Sequence, residues 1–134
     1  MRASFIIFLL SIGFFLLSAS AEGANWEFIA KSKDGKVSCY VDTESIRHIS
    51  KTVVRVWIKL LYKMPCPYGS KEIVEALDYE EHDCVESKTC FLQIEHKYSD
   101  GTTKSETSPE KEWRYVRPDT IESVVHNYLC KKGK

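Results

Sequence analysis

The chain has 134 residues and a formal net charge of zero, with 19 basic and 19 acidic residues. No segment concentrates Lys and Arg into a dense phosphate-binding stripe, so the composition excludes nucleic acid as an expected partner. The length suffices for one domain and is too small for two independent hydrophobic cores.

Residues 1–21 have the layout of a secretory signal peptide. Arg2 supplies a positive start, an apolar run covers residues 5–17, and small residues occupy positions 18–21. The apolar run is shorter than the roughly 20 residues that a transmembrane helix needs. No cysteine follows the expected cleavage point, so lipoprotein processing is not expected. We therefore predict a mature domain over residues 22–134 that is exported without a membrane span and is periplasmic, secreted or associated with the cell surface.

All five cysteines lie after the predicted cleavage point. Cysteines of exported proteins are usually oxidised to disulfides, and an odd number leaves at least one thiol free. We expect the free thiol to be Cys39, because the alternation of Val37, Cys39 and Val41 puts it on the apolar face of a strand. A reactive thiol or an intermolecular bridge is the alternative.

Closely spaced turn signals predict a mostly antiparallel β domain. The first two strands are expected over residues 26–31 and 36–42, joined by a hairpin turn in which Gly35 takes a positive φ. A short helical turn follows over residues 42–46, capped by Asp42 or Thr43.

The longest β-branched run, residues 52–62, predicts a strand with one apolar face built from Val54, Val56, Ile58, Leu60 and Tyr62. Proline cannot donate to a strand ladder, so Pro65 and Pro67 are expected to end it.

The other face of this strand carries Arg55, Trp57 and Lys59, which are our candidate binding residues. A rigid aromatic side chain flanked by cations is a common binding anchor. The alternative is that Trp57 fills a second small core beneath the first strands, because large aromatic side chains are usually buried.

Residues 71–84 fit a helix in their first half and a strand in their second, and we predict a strand over the second half. Their acidic part, residues 78–83, is expected to be a solvated strand face or loop. Residues 89–98 predict a strand whose one side carries Cys90, Leu92, Ile94, His96 and Tyr98, followed by a turn and a partner over residues 103–107. A short last strand is expected over residues 113–116.

The C-terminal segment predicts an amphipathic helix that packs on the apolar face of the sheet. Asp119 is the expected N-cap, and Glu122, three residues later, is expected to accept a hydrogen bond from the Asp119 backbone N–H, as in a capping box. The apolar stripe consists of Ile121, Val124, Val125, Tyr128 and Leu129.

Two residues of this helix fall outside the stripe. Cys130 lies on the polar side of a regular helix, so either the helix ends by Leu129 or a disulfide is made from its outer side. His126 is expected to be solvated on the outer face.

No nucleophile elbow, phosphate-binding glycine loop or zinc-protease helix is present in the sequence, so no catalytic residue and no cofactor is predicted. His82, Cys84, Cys90 and His96 offer zinc ligands, but their spacing does not follow a known zinc framework, and cysteines committed to disulfides cannot supply thiolates. We therefore predict no metal site and a protein that is not an enzyme.

The ordered set of residues along the mature chain resembles the surface-adhesin protein E family of small secreted bacterial proteins. The matching elements are Trp26, Tyr40-Val41-Asp42, Ser45-Ile46, Val54-Arg55-Val56-Trp57, Asp83-Cys84, Asp100-Gly101, Trp113, Arg117-Pro118 and Leu129-Cys130.

This resemblance implies an α+β fold in which an antiparallel sheet of about six strands carries a C-terminal helix on one face, tethered by a Cys84–Cys130 disulfide. The remaining Cys66 and Cys90 are then expected to form a second pair. It also implies adhesion to host extracellular-matrix and serum proteins such as laminin and vitronectin, with homodimers possible.

The function that we predict is therefore that of an exported, non-catalytic protein that binds a protein partner. A small periplasmic inhibitor or ligand-binding module is the alternative, for which an open sheet face or a pocket would be the discriminating observation. A redox or metal function would require reduced Cys84 and Cys130 or bound zinc.

Overall fold

The computed structural model describes residues 23–132, and the predicted signal peptide lies outside this part of the chain. The strands are β1 Trp26–Lys31, β2 Val37–Asp42, β3 Arg47–His48, β4 Val53–Tyr68, β5 Lys71–Asp83, β6 Lys88–Tyr98, β7 Thr103–Thr107 and β8 Arg114–Tyr115; the helices are a 3₁₀ turn Thr43–Ser45 and α1 Ile121–Lys132. One antiparallel sheet has the strand order β1-β2-β4-β5-β6-β7, and the short strands β3 and β8 pair with β4 and β6. These two short strands raise the strand count to eight, against about six predicted, and the predicted α+β fold is confirmed.

The first hairpin and the turn after it form as predicted. Gly35 has a φ of 71°, which costs a glycine little because it has no Cβ. Asp42 caps the 3₁₀ turn, where its carboxylate accepts a hydrogen bond of 3.1 Å from the Glu44 N–H.

β4 continues through both prolines, so the prediction that they end the strand is wrong. The pairing register with β5 shifts between Leu61 and Cys66, which places Pro65 in an irregular stretch that needs no ladder donor from it. Beyond this bulge β4 is paired with β5, and the prolines are tolerated because its pairing with β2 stops at Tyr62.

β5 is a strand over its whole length, and the helical alternative for its first half is wrong. In β6, the register with β5 shifts between Tyr79 and Glu80, so that Leu92 is an extra residue on the β6 side. Cys90 therefore lies opposite Glu81 and Ile94 opposite Asp78, on different faces of the sheet. The predicted single face from Cys90 to Tyr98 is correspondingly wrong.

The helix packs on one face of the sheet, which we call the inner face. Its Val125 and Leu129 are each 1% exposed and belong to the buried core. Of the predicted apolar face of β4, Val54, Val56 and Ile58 belong to this core and Leu60 packs against it, whereas Tyr62 lies outside it. Strand β2 adds Cys39 and Val41 to the core. The Cys84–Cys130 disulfide, with Cα atoms 5.5 Å apart, joins the end of β5 to the last turns of α1 and confirms the tether.

The buried face of α1 is rotated relative to the predicted stripe. Val124 is 45% exposed, whereas His126 is 6% exposed, so the prediction of a solvated His126 is wrong. The helix continues to Lys132, and Cys130 reaches the sheet because this rotation turns it inward.

The N-cap of α1 is Thr120 and not the predicted Asp119. The Ser123 N–H donates to Thr120 Oγ1 and the Thr120 N–H donates to Ser123 Oγ, each at 3.2 Å, which is a reciprocal capping box. Asp119 has a φ of 57° and lies in the turn before the cap. No helix within residues 23–132 is long and apolar enough to cross a membrane.

The expected Cys66–Cys90 pair does not form, and Cys39, Cys66 and Cys90 are free thiols. Cys66 of β4 lies opposite Ile73 of β5, which in turn lies opposite Tyr98 at one end of β6. Cys90 lies near the other end of β6. Eight residues of strand, roughly 25 Å, separate the two positions. Cys39 is fully buried, as predicted from its strand face.

Candidate binding surfaces

The face of the sheet opposite α1 carries a continuous array of aromatic and cationic side chains, which we call the outer patch. Its members come from four adjacent strands, and each is partly buried. Cross-strand neighbours on one face of a sheet are close enough for their side chains to interact. The outer patch consists of Trp26, Tyr40, Arg55, Trp57, Lys59 and Tyr79.

Trp57 lies at the centre of the outer patch. It is directly opposite Tyr79 in the β4–β5 ladder, and the two rings stack with centroids 4.6 Å apart and planes 16° from parallel. The Arg55 guanidinium lies 5.8 Å from the Tyr79 ring centroid. Trp57 is thus neither buried in the core nor freely exposed, and its ring is held rigidly by a neighbour.

Lys59 joins the β4 part of the patch to the first hairpin. Its Nζ lies 4.4 Å from the Trp26 ring centroid and 5.5 Å from that of Tyr40, distances at which a cation is attracted to an aromatic face. Phe28 extends the array, because its ring meets Tyr40 edge-on and is 53% exposed.

Glu81 anchors one end of the outer patch. It is 1% exposed, and its carboxylate accepts hydrogen bonds from Arg55 Nε at 3.0 Å and from Lys111 Nζ at 3.2 Å. Burial raises the pKa of Glu81, but these hydrogen bonds and charges outweigh it and hold the pKa below its ordinary value. Arg55 is therefore fixed in position beside the stacked rings.

The structure thus brings together the three predicted binding residues, Arg55, Trp57 and Lys59, on one face of β4. Their function as binding residues stays a prediction. Sequence reasoning did not identify their partners Trp26, Tyr40 and Tyr79, because these become neighbours through strand register alone.

A second candidate site is a cleft of about 420 Å³ on the inner face, between the sheet and the segment that leads from β8 into α1. We call it the helix-side cleft. Strands β2, β4, β5 and β6 form one wall and the β8–α1 segment forms the other. Its apolar lining comprises Ile58, Leu60, Phe91, Ile121 and Val125, and its charged lining comprises Asp78, Glu80, Arg114, Arg117 and Glu122.

Two carboxyl groups of β5 line this cleft at successive positions of the same face. Asp78 is 8% exposed and Glu80 is 6% exposed. Burial, and next the charge of Glu80, raise the pKa of Asp78 to about 7, although Arg114 opposes the shift. The cleft therefore holds a carboxyl group that titrates near neutral pH among apolar side chains.

Arg114 is held over the cleft by two contacts. Its Cζ lies 4.3 Å from the Phe91 ring centroid, and its Nη2 donates to Glu122 Oε1 at 2.7 Å. Arg114 thus forms its ion pair with Glu122 on α1, and it acts on the Asp78 carboxyl group of β5 only through its charge.

A buried polar chain runs from the cleft towards the disulfide. His82 Nε2 lies 2.8 Å from Glu80 Oε2, and His82 Nδ1 lies 3.1 Å from His126 Nδ1. His126 Nε2 is 3.6 Å from Cys130 Sγ. Burial, followed by the charge of His82, lowers the pKa of His126.

The acidic segment of residues 78–83 was predicted to be solvated, and this prediction is wrong. Asp78, Glu80, Glu81 and His82 are all buried. Glu80, Glu81 and His82 are satisfied by hydrogen bonds, either to each other on β5 or to residues distant in sequence. The charge pattern of the segment does not reveal these partners.

The zinc ligands that the sequence offered are not brought together. Cys84 is bonded to Cys130, and Cys90 and His96 lie on opposite faces of the sheet. Within residues 23–132, no group of three His, Cys, Asp or Glu side chains is arranged to hold a metal ion.

Comparison with known proteins gives one family and one set of structures. The family model of surface-adhesin protein E matches residues 26–131. Among solved structures, crystal form II of Haemophilus influenzae protein E is 16% identical, with a TM-score of 0.59 over 80% of this chain and 90% of that chain. The selenomethionine form of the same protein is 15% identical, with a TM-score of 0.57 over 84% of this chain and 95% of that chain.

A third structure, protein E from non-typeable Haemophilus influenzae, is 15% identical, with a TM-score of 0.55 over 82% of this chain and 79% of that chain. At these identities the structures establish a shared fold alone. None of the curated proteins matches the chain in sequence.

Proposed function

Because this chain belongs to the surface-adhesin protein E family, we propose that it is an exported, non-catalytic protein that binds a protein partner through the outer patch. The observation that carries the proposal is the stacked, partly exposed pair of Trp57 and Tyr79 between the cations Arg55 and Lys59. Aromatic and Arg side chains are the residue types that dominate the binding energy of protein interfaces.

Rigidity supports this role of the outer patch. Binding immobilises side chains, at a cost of about 0.5–1.5 kcal/mol for each one that is flexible beforehand. Trp57 is already stacked on Tyr79, and Arg55 is already bonded to buried Glu81. A partner that docks here therefore loses less binding free energy to the immobilisation of side chains than it would at a surface of flexible ones.

The family resemblance suggests extracellular-matrix and serum proteins as partners, with laminin and vitronectin as the first two to test. Export is part of the same proposal, with residues 1–21 as the signal peptide. Mass spectrometry of the protein recovered after export should find a mature chain that begins at Glu22.

The binding test uses residues 22–134 in solution over immobilised laminin and vitronectin, read by biolayer interferometry. Trp57→Ala should weaken binding by at least about tenfold, the loss expected for a central interface aromatic. Tyr68→Ala is the matched control, because Tyr68 is 53% exposed and lies outside the outer patch.

Thermal unfolding of each variant excludes misfolding, and Trp57→Phe should restore part of the affinity. The oligomeric state is measured at the same concentrations, because a homodimer would bind an immobilised partner bivalently and mask a weakened site. Equal binding by Trp57→Ala and the unmodified chain would contradict the proposal, as would no binding to either partner.

The second candidate function is a small ligand-binding or inhibitor module, and the helix-side cleft favours it. A cleft of about 420 Å³ with apolar walls and a few polar groups is within the size range of small-molecule sites. Ligand-induced shifts of the melting temperature would support this function.

A further inference from the structure

We propose that the helix-side cleft binds an alkylammonium group, either the side chain of a lysine on a partner protein or a free diamine. This inference deepens the ligand-binding function and is independent of partner binding through the outer patch. It rests on an unpartnered buried carboxyl group, a second carboxyl group beside it, and the apolar walls around both.

The unpartnered group is the carboxyl of Asp78. Asp78 is 8% exposed, yet within the described range 23–132 its carboxyl group makes no hydrogen bond and no ion pair, and Arg114 acts on it only through its charge. No fully buried side-chain oxygen in this range lacks a partner, so the Asp78 oxygens must retain contact with the open volume of the cleft that Asp78 lines. A buried carboxylate is costly unless a cation or donors satisfy it, and the cleft leaves room for that cation.

Glu80 makes the site more attractive to a positive charge. It lies two residues further along the same face of β5 and also lines the cleft. Arg114 lines the same cleft but forms no ion pair with Asp78, because it is bonded to Glu122 and stacked on Phe91. Glu80 Oε2 is held by His82 Nε2 at 2.8 Å, so the carboxyl group in the cleft that lacks a cation or a donor among the described residues is that of Asp78.

The walls select an organic cation. Ile58, Leu60 and Phe91 line the sheet side, and Ile121 and Val125 line the helix side. An aliphatic stem gains from burial against such surfaces, at about 0.8 kcal/mol for each CH₂ group, whereas a hydrated inorganic ion gains nothing from them. A primary ammonium on a chain of several methylenes matches both parts of the cleft.

The test measures binding of n-pentylamine and of the neutral 1-pentanol to residues 22–134, by the concentration dependence of amide chemical shifts in ¹H–¹⁵N NMR spectra. The ammonium compound should bind at least about tenfold more tightly, because a charge-assisted hydrogen bond to a carboxylate replaces a neutral one. The shifts should be confined to the cleft-lining parts of β2, β4, β5 and β6 and to the segment from β8 into the first turns of α1.

Asp78→Asn should weaken pentylamine binding by at least about tenfold and leave pentanol binding unchanged. Glu72→Gln is the matched control, since Glu72 is an exposed carboxylate of the same strand outside the cleft. Cadaverine and Nα-acetyl-lysine methylamide distinguish the sources: tighter binding of the first supports a free diamine, and tighter binding of the second supports a protein lysine.

Equal affinities for pentylamine and pentanol would overturn the ammonium inference and leave a generic ligand site. If neither pentylamine nor pentanol binds, both the ammonium inference and the ligand-binding function of the cleft are overturned. Neither result bears on the outer patch, whose function is tested separately with laminin and vitronectin. Pentylamine binding that persists in Asp78→Asn would also overturn the inference.

Discussion

The Nδ1 atoms of His82 and His126 lie 3.1 Å apart between β5 and α1. A hydrogen bond between two ring nitrogens requires that one of them lacks a proton. Full protonation of both rings would replace this bond by repulsion in a buried site. The docking of the helix on the sheet is therefore expected to depend on the protonation of His126.

We expect acid to weaken the fold through His126. Burial and the charge of His82 lower its folded pKa below the ordinary value of 6.5, so the unfolded chain binds the proton more readily. The stabilisation is complete above pH 6.5 and is lost as the pH falls towards the folded pKa. Denaturant unfolding between pH 8 and 5 should show a shallower loss in His126→Gln than in the unmodified chain.

The matched control for this prediction is His48→Gln, because His48 is exposed on β3. It should leave the pH dependence of the unfolding free energy unchanged. Identical slopes for His126→Gln and the unmodified chain would show that the histidine pair does not couple helix docking to pH.

The Cys84–Cys130 disulfide should contribute a large part of the stability of the domain. It links positions 46 residues apart in sequence. Closing such a loop restricts the unfolded chain and is expected to stabilise the fold by roughly 4 kcal/mol on the chain-entropy estimate. Denaturant unfolding of the Cys84→Ser/Cys130→Ser double variant measures this loss. Cys66→Ser, at a free thiol, should change the unfolding free energy little.

The three free thiols should differ sharply in reactivity. Cys39 and Cys90 are each 0% exposed, whereas Cys66 is partly exposed. Burial, followed by the charges of Glu80 and Asp78, raises the pKa of Cys39 to about 12, which suppresses the reactive thiolate. Iodoacetamide should therefore label the native protein once, at Cys66, and the denatured protein three times, as read by peptide mass spectrometry. A Cys66 that stays unlabelled under both conditions would indicate the Cys66–Cys90 bridge that the structure lacks.

Most features that depend on residues close together in sequence were predicted correctly, and most features that depend on residues far apart in sequence were not. The apolar face of β4 was predicted because Val54, Val56 and Ile58 alternate within one strand. The apolar stripe of α1 was likewise predicted in most of its positions, but the burial of His126 was missed, because His126 is polar and its burial depends on His82, 44 residues earlier. Hydropathy along a helix does not reveal a partner on a distant strand.

The two candidate sites divide in the same way. Arg55, Trp57 and Lys59 were identified because they alternate along one strand. Asp78 and Glu80 were assigned to a solvated face, because the helix-side cleft that buries them is formed by four strands and the β8–α1 segment. The extra residue Leu92 in β6, which directs Phe91 into the cleft, likewise has no mark in the sequence.

Asp78 should make the fold less stable as the pH rises. Its pKa is raised from 3.8 unfolded to about 7 folded, by burial and then by Glu80, so the folded chain holds the proton more tightly. The stability that this group contributes is complete below pH 3.8 and is lost as the pH rises through 7. The other charged groups that line the same cleft are Arg114, Arg117 and Glu122.

Asp78→Asn removes this titration. At pH 8 the variant should exceed the unmodified chain in unfolding free energy by about 4 kcal/mol, because a pKa difference of about three units costs about 1.4 kcal/mol per unit, and the difference should shrink towards pH 4. Glu72→Gln should show no such trend. A variant that is less stable than the unmodified chain at pH 8 would mean that the Asp78 carboxylate is satisfied within the fold. The helix-side cleft would then lack the unpartnered carboxylate that the ammonium inference requires, because a carboxylate with a partner in the fold gains little from an added cation.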